Sequence, residues 1–143
     1  MSRKFILAAT VAIVSAFSAP AMANDVFIDQ YGFGNSAGGG QVGIGNSVGV
    51  FQDGIFNNAI AEQFGNGNVA AHGQSGVNNN AESYQLGNGN SAGVGQFGAN
   101  HNAILSQDGN GNIAAGVQVG NNCNAGVTQT GGGNVAAFVQ TCP

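Results

Sequence analysis

Basic side chains are almost missing from this chain. Lys and Arg together number two, against six Asp and Glu, for a formal net charge of −4 over 143 residues. Both basic residues, Arg3 and Lys4, lie at the extreme N-terminus, so everything after them is acidic or neutral. Nucleic-acid binding relies on Lys and Arg to neutralise phosphates, and that class is excluded. Adsorption onto anionic lipid is disfavoured for the same reason. Proline is scarce, large aliphatic residues are sparse, and no apolar run reaches the roughly 20 residues that a membrane-spanning helix needs.

The short apolar run that does occur has a different reading. Arg3 and Lys4 precede the mostly apolar Phe5 to Phe17, and Ala21-Met22-Ala23 is a small-residue cleavage signal. Residues 1–23 are therefore expected to be a secretory signal peptide, cut after Ala23. Residues 24–29 then form a short leader, 30–140 a repeat region and 141–143 a C-terminal tail.

Glycine, by contrast, is abundant at 26 residues, and on composition alone such a chain could be disordered. Phase argues otherwise. Every glutamine stands eleven residues from the next: Gln30, Gln41, Gln52, Gln63, Gln74, Gln85, Gln96, Gln107, Gln118, Gln129 and Gln140. Glycine follows two places after each of the first ten. Asparagine stands at the fifth place in eight units: Asn35, Asn46, Asn57, Asn68, Asn79, Asn90, Asn112 and Asn134. Alanine holds the seventh place in nine units. The unit reads Gln-x-Gly-x-x-Asn-x-Ala-x-x-x, without an insertion, and a fixed period of this kind marks a stacked repeat.

Strand geometry explains the pattern. Residues two apart share a face, so places five, seven, nine and the next Gln form one inward set. Places six, eight, ten and one vary and face out. The strand is expected from about the Asn to the residue after the next Gln, with the turn at places two to four, where glycine permits a sharp reversal. An eleven-residue helical period is the competing reading, but glycine twice per unit would cost about 1 kcal/mol each time. The expected fold is all-β: a β-solenoid, or cross-β stack, of ten strand-turn units in five two-strand coils of 22 residues. Coils about 4.8 Å apart place like residues above one another. Each Gln and Asn carbonyl would then accept from the side-chain amide of the coil above, relieving the ~1–3 kcal/mol cost of an unbonded buried amide.

Segments such as Gln30-Tyr-Gly-Phe-Gly-Asn-Ser-Ala37 and Gln85-Leu-Gly-Asn-Gly-Asn-Ser-Ala92 resemble the curlin repeat of bacterial curli fibre subunits. The resemblance spans Gln30 to Gln140. It implies a secreted extracellular amyloid subunit that polymerises on the cell surface, supports adhesion and biofilm, leaves through an outer-membrane pore and is nucleated by a related minor subunit. Three features depart from the family pattern. The stretch before the first repeat is short, the repeats carry no Lys or Arg, and two cysteines lie outside the pattern. The missing basic residues favour the major subunit over the nucleator. Gln30 and Asn35 at one end, and Gln129, Asn134 and Gln140 at the other, are expected to join subunits.

Chemistry is hard to find among the remaining residues. His101 and Cys123 replace Asn in neighbouring odd units, but two ligands make a poor metal site. His72 is expected as a bonded core residue facing Ser83. Cys123 and Cys142 are expected to pair, closing a loop of about 20 residues for roughly 3 kcal/mol, although a crosslink between subunits is the alternative. Asp53 and Asp108 either interrupt aggregation-prone strands or simply aid solubility. The acids are scattered, which argues against a polysaccharide-cleaving enzyme. Calcium-binding nonapeptides place Asp in every unit, and Gly-x-Gly here does not join strand to helix as a phosphate cradle requires. The sequence thus implies no enzyme, no cofactor and no metal. Its two functional readings are a self-assembling fibre subunit and a monomeric solenoid binding ice or glycan on a flat face.

Overall fold

The computed structural model describes residues 23–143. The segment read as a signal peptide lies outside the described residues, apart from its last position. Eleven strands follow in order: β1 (Asp25–Phe33), β2 (Ser36–Val42), β3 (Ser47–Ile55), β4 (Asn58–Phe64), β5 (Val69–Val77), β6 (Asn80–Leu86), β7 (Ser91–Ala99), β8 (Asn102–Asn110), β9 (Ile113–Asn121), β10 (Asn124–Gly132) and β11 (Val135–Cys142). Odd-numbered strands make one six-stranded sheet and even-numbered strands a five-stranded sheet, each strand hydrogen-bonded to the one two places on. All pairing is parallel and glutamine stacks on glutamine, as in Gln52↔Gln74↔Gln96 and Gln63↔Gln85↔Gln107. The chain is a β-solenoid.

Its strand count differs from expectation. Each of the eleven glutamines lies within a strand, so ten Gln-to-Gln units produce eleven strands and five and a half coils rather than five. Asp25 to Asp29, expected as a leader, form the start of β1 and pair with Ser47 to Phe51. Thr141 and Cys142, expected as tail, complete β11.

The reversal also sits later than expected. Strands of the odd sheet continue through the glycine at place two, and the corner centres on place four. There the backbone is left-handed in every unit, whether the residue is Gly (Gly67, φ 65°), Asn (Asn78, φ 56°) or Phe (Phe56, φ 57°). Asn tolerates that conformation, whereas a bulky Phe does so at a cost. Glycine at place two answers to a different demand. At Gly54, with φ 134°, an added Cβ would lie 1.9 Å from the carbonyl oxygen of Gly76 in the next coil. The invariant glycine is what lets coils stack at strand spacing.

Inside, the two sheets meet over a thin core. Val48, Val50, Ala59, Ala61 and Ala70 form one apolar cluster. Ala81, Ala92, Val94, Ala103, Leu105 and Ala114 form a second, with Phe138 and Val127 packed against it. Between them lies a polar layer, His72 and Ser83, joined by a 3.1 Å hydrogen bond between His72 Nε2 and Ser83 Oγ.

Candidate functional site: the amide ladders and the open ends

Strand alternation aims the glutamines into the interior, where Gln52 to Gln118 are fully buried. Each Nε2 carries two hydrogens and uses both. Gln74 Nε2 donates 2.8 Å to Gln96 Oε1 in the next coil and 2.8 Å to the Asn58 carbonyl in the facing sheet. Gln85 repeats the arrangement with Gln107 Oε1 and the Val69 carbonyl, both at 2.9 Å. The ladder therefore binds coil to coil and sheet to sheet at once. Its direction is opposite to the expected one: each amide donates toward the C-terminal coil, and each carbonyl accepts from the coil before it.

Except where Asn134 Nδ2 donates 3.0 Å to Asn112 Oδ1, the asparagines work by another route than the amide-to-amide stacking expected of them. Asn68 Oδ1 accepts from the backbone N–H of Asn90 at 2.9 Å, and its Nδ2 donates 2.8 Å to the carbonyl of Gly87. This side chain thus satisfies the backbone at a corner where the strand ladder is interrupted. The same geometry recurs at Asn46, Asn57, Asn79 and Asn90. The carbonyl that each asparagine bonds is also the one that a Cβ on the glycine of the coil before would strike, as Gly87 O is for Asn68 and Gly65.

His101 continues this column instead of breaking it. Cys123 N–H donates 3.2 Å to His101 Nδ1, and Nε2 lies 3.2 Å from the Phe97 carbonyl. These partners assign the proton to Nε2, since Nδ1 must accept. The imidazole thereby reproduces the acceptor and donor roles of an asparagine amide. Cys123 is bonded to Cys142, Cα to Cα 5.7 Å, so its sulfur is not available as a thiolate ligand beside His101. Among the described residues, no group of three or more His, Cys, Asp or Glu converges on a metal position.

His72 is the one interior histidine outside the Asn column. Burial pushes its imidazole down to about 4, with the nearby Ile60 backbone acting in the opposite direction. That backbone is not in hydrogen-bonding geometry, for Nδ1 is without a partner. A neutral ring with one unsatisfied nitrogen is a local weakness in the stack.

A further ladder escaped the eleven-residue reading. Asn58, Asn80, Asn102 and Asn124 stack on the outer face of the even sheet, amide to carbonyl at 2.7, 2.9 and 3.1 Å. Their place six appears variable because even-numbered units carry Ser47, Val69, Ser91 and Ile113 there. Counting in 22s instead of elevens would have exposed it.

At the two ends the ladders stop, and they stop differently. Gln30 and Gln41 use their amides inward, toward Gln52 and Gln63, which leaves both Oε1 atoms facing outward without a donor among the described residues. Gln129 and Gln140 accept from Gln107 and Gln118 and donate once, to the carbonyls of Ile113 and Asn124. Each therefore keeps one N–H to spare. One end offers acceptors and the other donors.

Two parallel sheets wound from stacked, in-register coils, with amide ladders inside and unpaired strands at both ends, define a cross-β solenoid of the repeat class. The family described as curlin associated repeat matches residues 22–54 and 73–98. Those two segments are curlin associated repeats, as the sequence pattern suggested. A search of curated proteins finds no match.

Proposed function

We propose that this protein is the building block of an extracellular amyloid fibre of the curli type, exported after signal-peptide cleavage and serving surface adhesion and biofilm. One observation carries the reading: the solenoid ends are unpaired strand edges with opposite hydrogen-bonding character, acceptors on Gln30 and Gln41 and donors on Gln129 and Gln140. Edges of this kind recruit further strands, and a head-to-tail contact that does not close makes a filament. Curlin repeats point the same way, as a structural rather than a catalytic module. An outer-membrane export pore and a nucleating minor subunit belong to this reading as partners. Monomeric ligand binding has less support, because the outer Asn58 to Asn124 column is a single row whose amides already bond one another.

The test is incubation of the purified mature chain, followed by thioflavin fluorescence and fibre diffraction. Fibres with a reflection near 4.8 Å along the axis are expected. A chain that stays monomeric at high concentration for days overturns the reading.

A further inference from the structure

The strand count makes a demand on how copies join. Among the described residues, successive strands alternate between sheets, six in one and five in the other. The solenoid therefore begins and ends on the same sheet, with β1 at one end and β11 at the other. The next strand along the winding path belongs over β10, in the even sheet. A second copy added without rotation would place its β1 on β11 and leave a strand-wide slot over β10. We infer that, given the fibre reading above, successive copies are related by a half turn about the solenoid axis, so that the odd sheet of one copy continues as the even sheet of the next.

Hydrogen bonding supports this arrangement. A half-turned copy sets its β1 on β10, with Gln30 over Gln129, and its β2 on β11, with Gln41 over Gln140. The spare N–H groups of Gln129 and Gln140 then meet the open Oε1 atoms of Gln30 and Gln41. Within the chain, each glutamine from Gln41 to Gln140 also donates across the interior to the carbonyl sixteen residues earlier, as Gln96 does to Asn80 and Gln140 to Asn124. Gln30 has no described strand sixteen residues before it. In the half-turned junction, the group at that place is the Val135 carbonyl at the start of β11. The unrotated junction puts nothing there.

Packing agrees independently. Phe138 is the only phenylalanine at the inward place nine, and beneath it in the same column is Gly116, where a Cβ would lie 1.9 Å from the Phe138 ring. The ring thus uses the space a glycine leaves. At the opposite end of the solenoid, Val26, Ile28, Gly39, Gln41, Val48 and Ala61 line a pocket of about 150 Å³. Half-turned stacking places Gly39 directly over Phe138, so the ring has glycine on both sides and the pocket above it. Unrotated stacking sets Ile28 over Phe138 instead.

Engineered disulfides distinguish the two arrangements. Neighbouring in-register strands hold Cα atoms close enough for a bridge. Asp29→Cys combined with Thr128→Cys reports the half-turned junction, and Asp29→Cys combined with Val139→Cys the unrotated one. All of these positions face outward. Fibres of the first pair, oxidised and then dissolved without reductant, should give a ladder of covalent multimers whose 29–128 bond is found by mass spectrometry. The second pair should stay monomeric in the same assay. Cryo-microscopy of unsubstituted fibres should show a rise of about 26 Å per copy, from five and a half coils, with a half turn added to the ordinary sheet twist. Fibres that form but crosslink through 29–139, through neither pair, or show no half turn, overturn this inference and leave the fibre reading standing. Failure of the unsubstituted chain to polymerise overturns both.

Discussion

Gly73 and Gly76 stand three residues apart on β5 and answer to different constraints. Gly76 has φ 133°, and a Cβ there would lie 1.9 Å from the Gly98 carbonyl oxygen, which is backbone and cannot yield. Gly73 has ordinary extended backbone and open space where its Cβ would be. Gly76→Ala is expected to destabilise the solenoid by about 4 kcal/mol or more, at the upper end for single substitutions. Gly73→Ala should be neutral or stabilising by up to about 1 kcal/mol. Urea denaturation of the two variants checks both. His72 makes a second prediction at this scale. Its folded pKa is about 4, below the ordinary 6.5, because burial disfavours the charged ring. The stability this neutral ring contributes is intact above pH 6.5. It falls as pH drops toward 4, where the unfolded chain takes up a proton and the folded one does not, by about 3 kcal/mol in all. Denaturation midpoints measured between pH 7 and 4 should fall accordingly, and His72→Val, which continues the flanking Val50 and Val94 column, should remove that part of the dependence.

At the scale of the element, the glutamine ladder does more than its individual bonds. The apolar interior is mostly alanine, with Leu105 its largest fully buried aliphatic side chain. Cohesion between coils and between sheets therefore rests on amides. Replacing Gln74 by alanine would leave one Gln52 N–H and the Gln96 acceptor without a partner and remove the cross-sheet bond to the Asn58 carbonyl, besides opening a cavity. Each buried unsatisfied group costs about 1–3 kcal/mol, so a loss of roughly 3–5 kcal/mol is expected. The equivalent change at the end-coil Gln30, which is exposed and breaks one described bond, should cost under about 1 kcal/mol. Thermal denaturation of soluble monomer, followed by circular dichroism, compares them.

For the molecule as a whole, what matters is that its ends remain open. Ile28 occupies the inward place nine of β1, but with no coil beneath it among the described residues it is 42% exposed. An acid there stays solvated in the monomer and becomes buried only when another copy stacks on that end. Ile28→Asp should leave monomer stability within about 1 kcal/mol of the parent. It should slow seeded fibre growth at least tenfold, read by thioflavin fluorescence, since an unpaired charge at a junction is expensive. The Cys123–Cys142 bond pins the other end. Reducing it should lower stability by roughly 3 kcal/mol through the entropy of a loop of about 20 residues, measured by denaturation with and without dithiothreitol.

Much of this was legible before any coordinates, because the register is strict. Place parity told inside from outside, and Asn46, Ala59, Val94 and Gln107 are all buried as that parity requires. What an eleven-residue count hid were properties of the 22-residue coil: the outer Asn58 ladder, the extra half coil and the strand made by Asp25 to Phe33. A linear period says which residues recur, and side-chain alternation says which face they take. It cannot say which backbone group lies 4.8 Å above. Only stacking decided that the place-two glycine is required by the carbonyl of the next coil, that His101 can stand in for asparagine, and that amides donate in one direction. That direction gives the two ends their opposite hydrogen-bonding character.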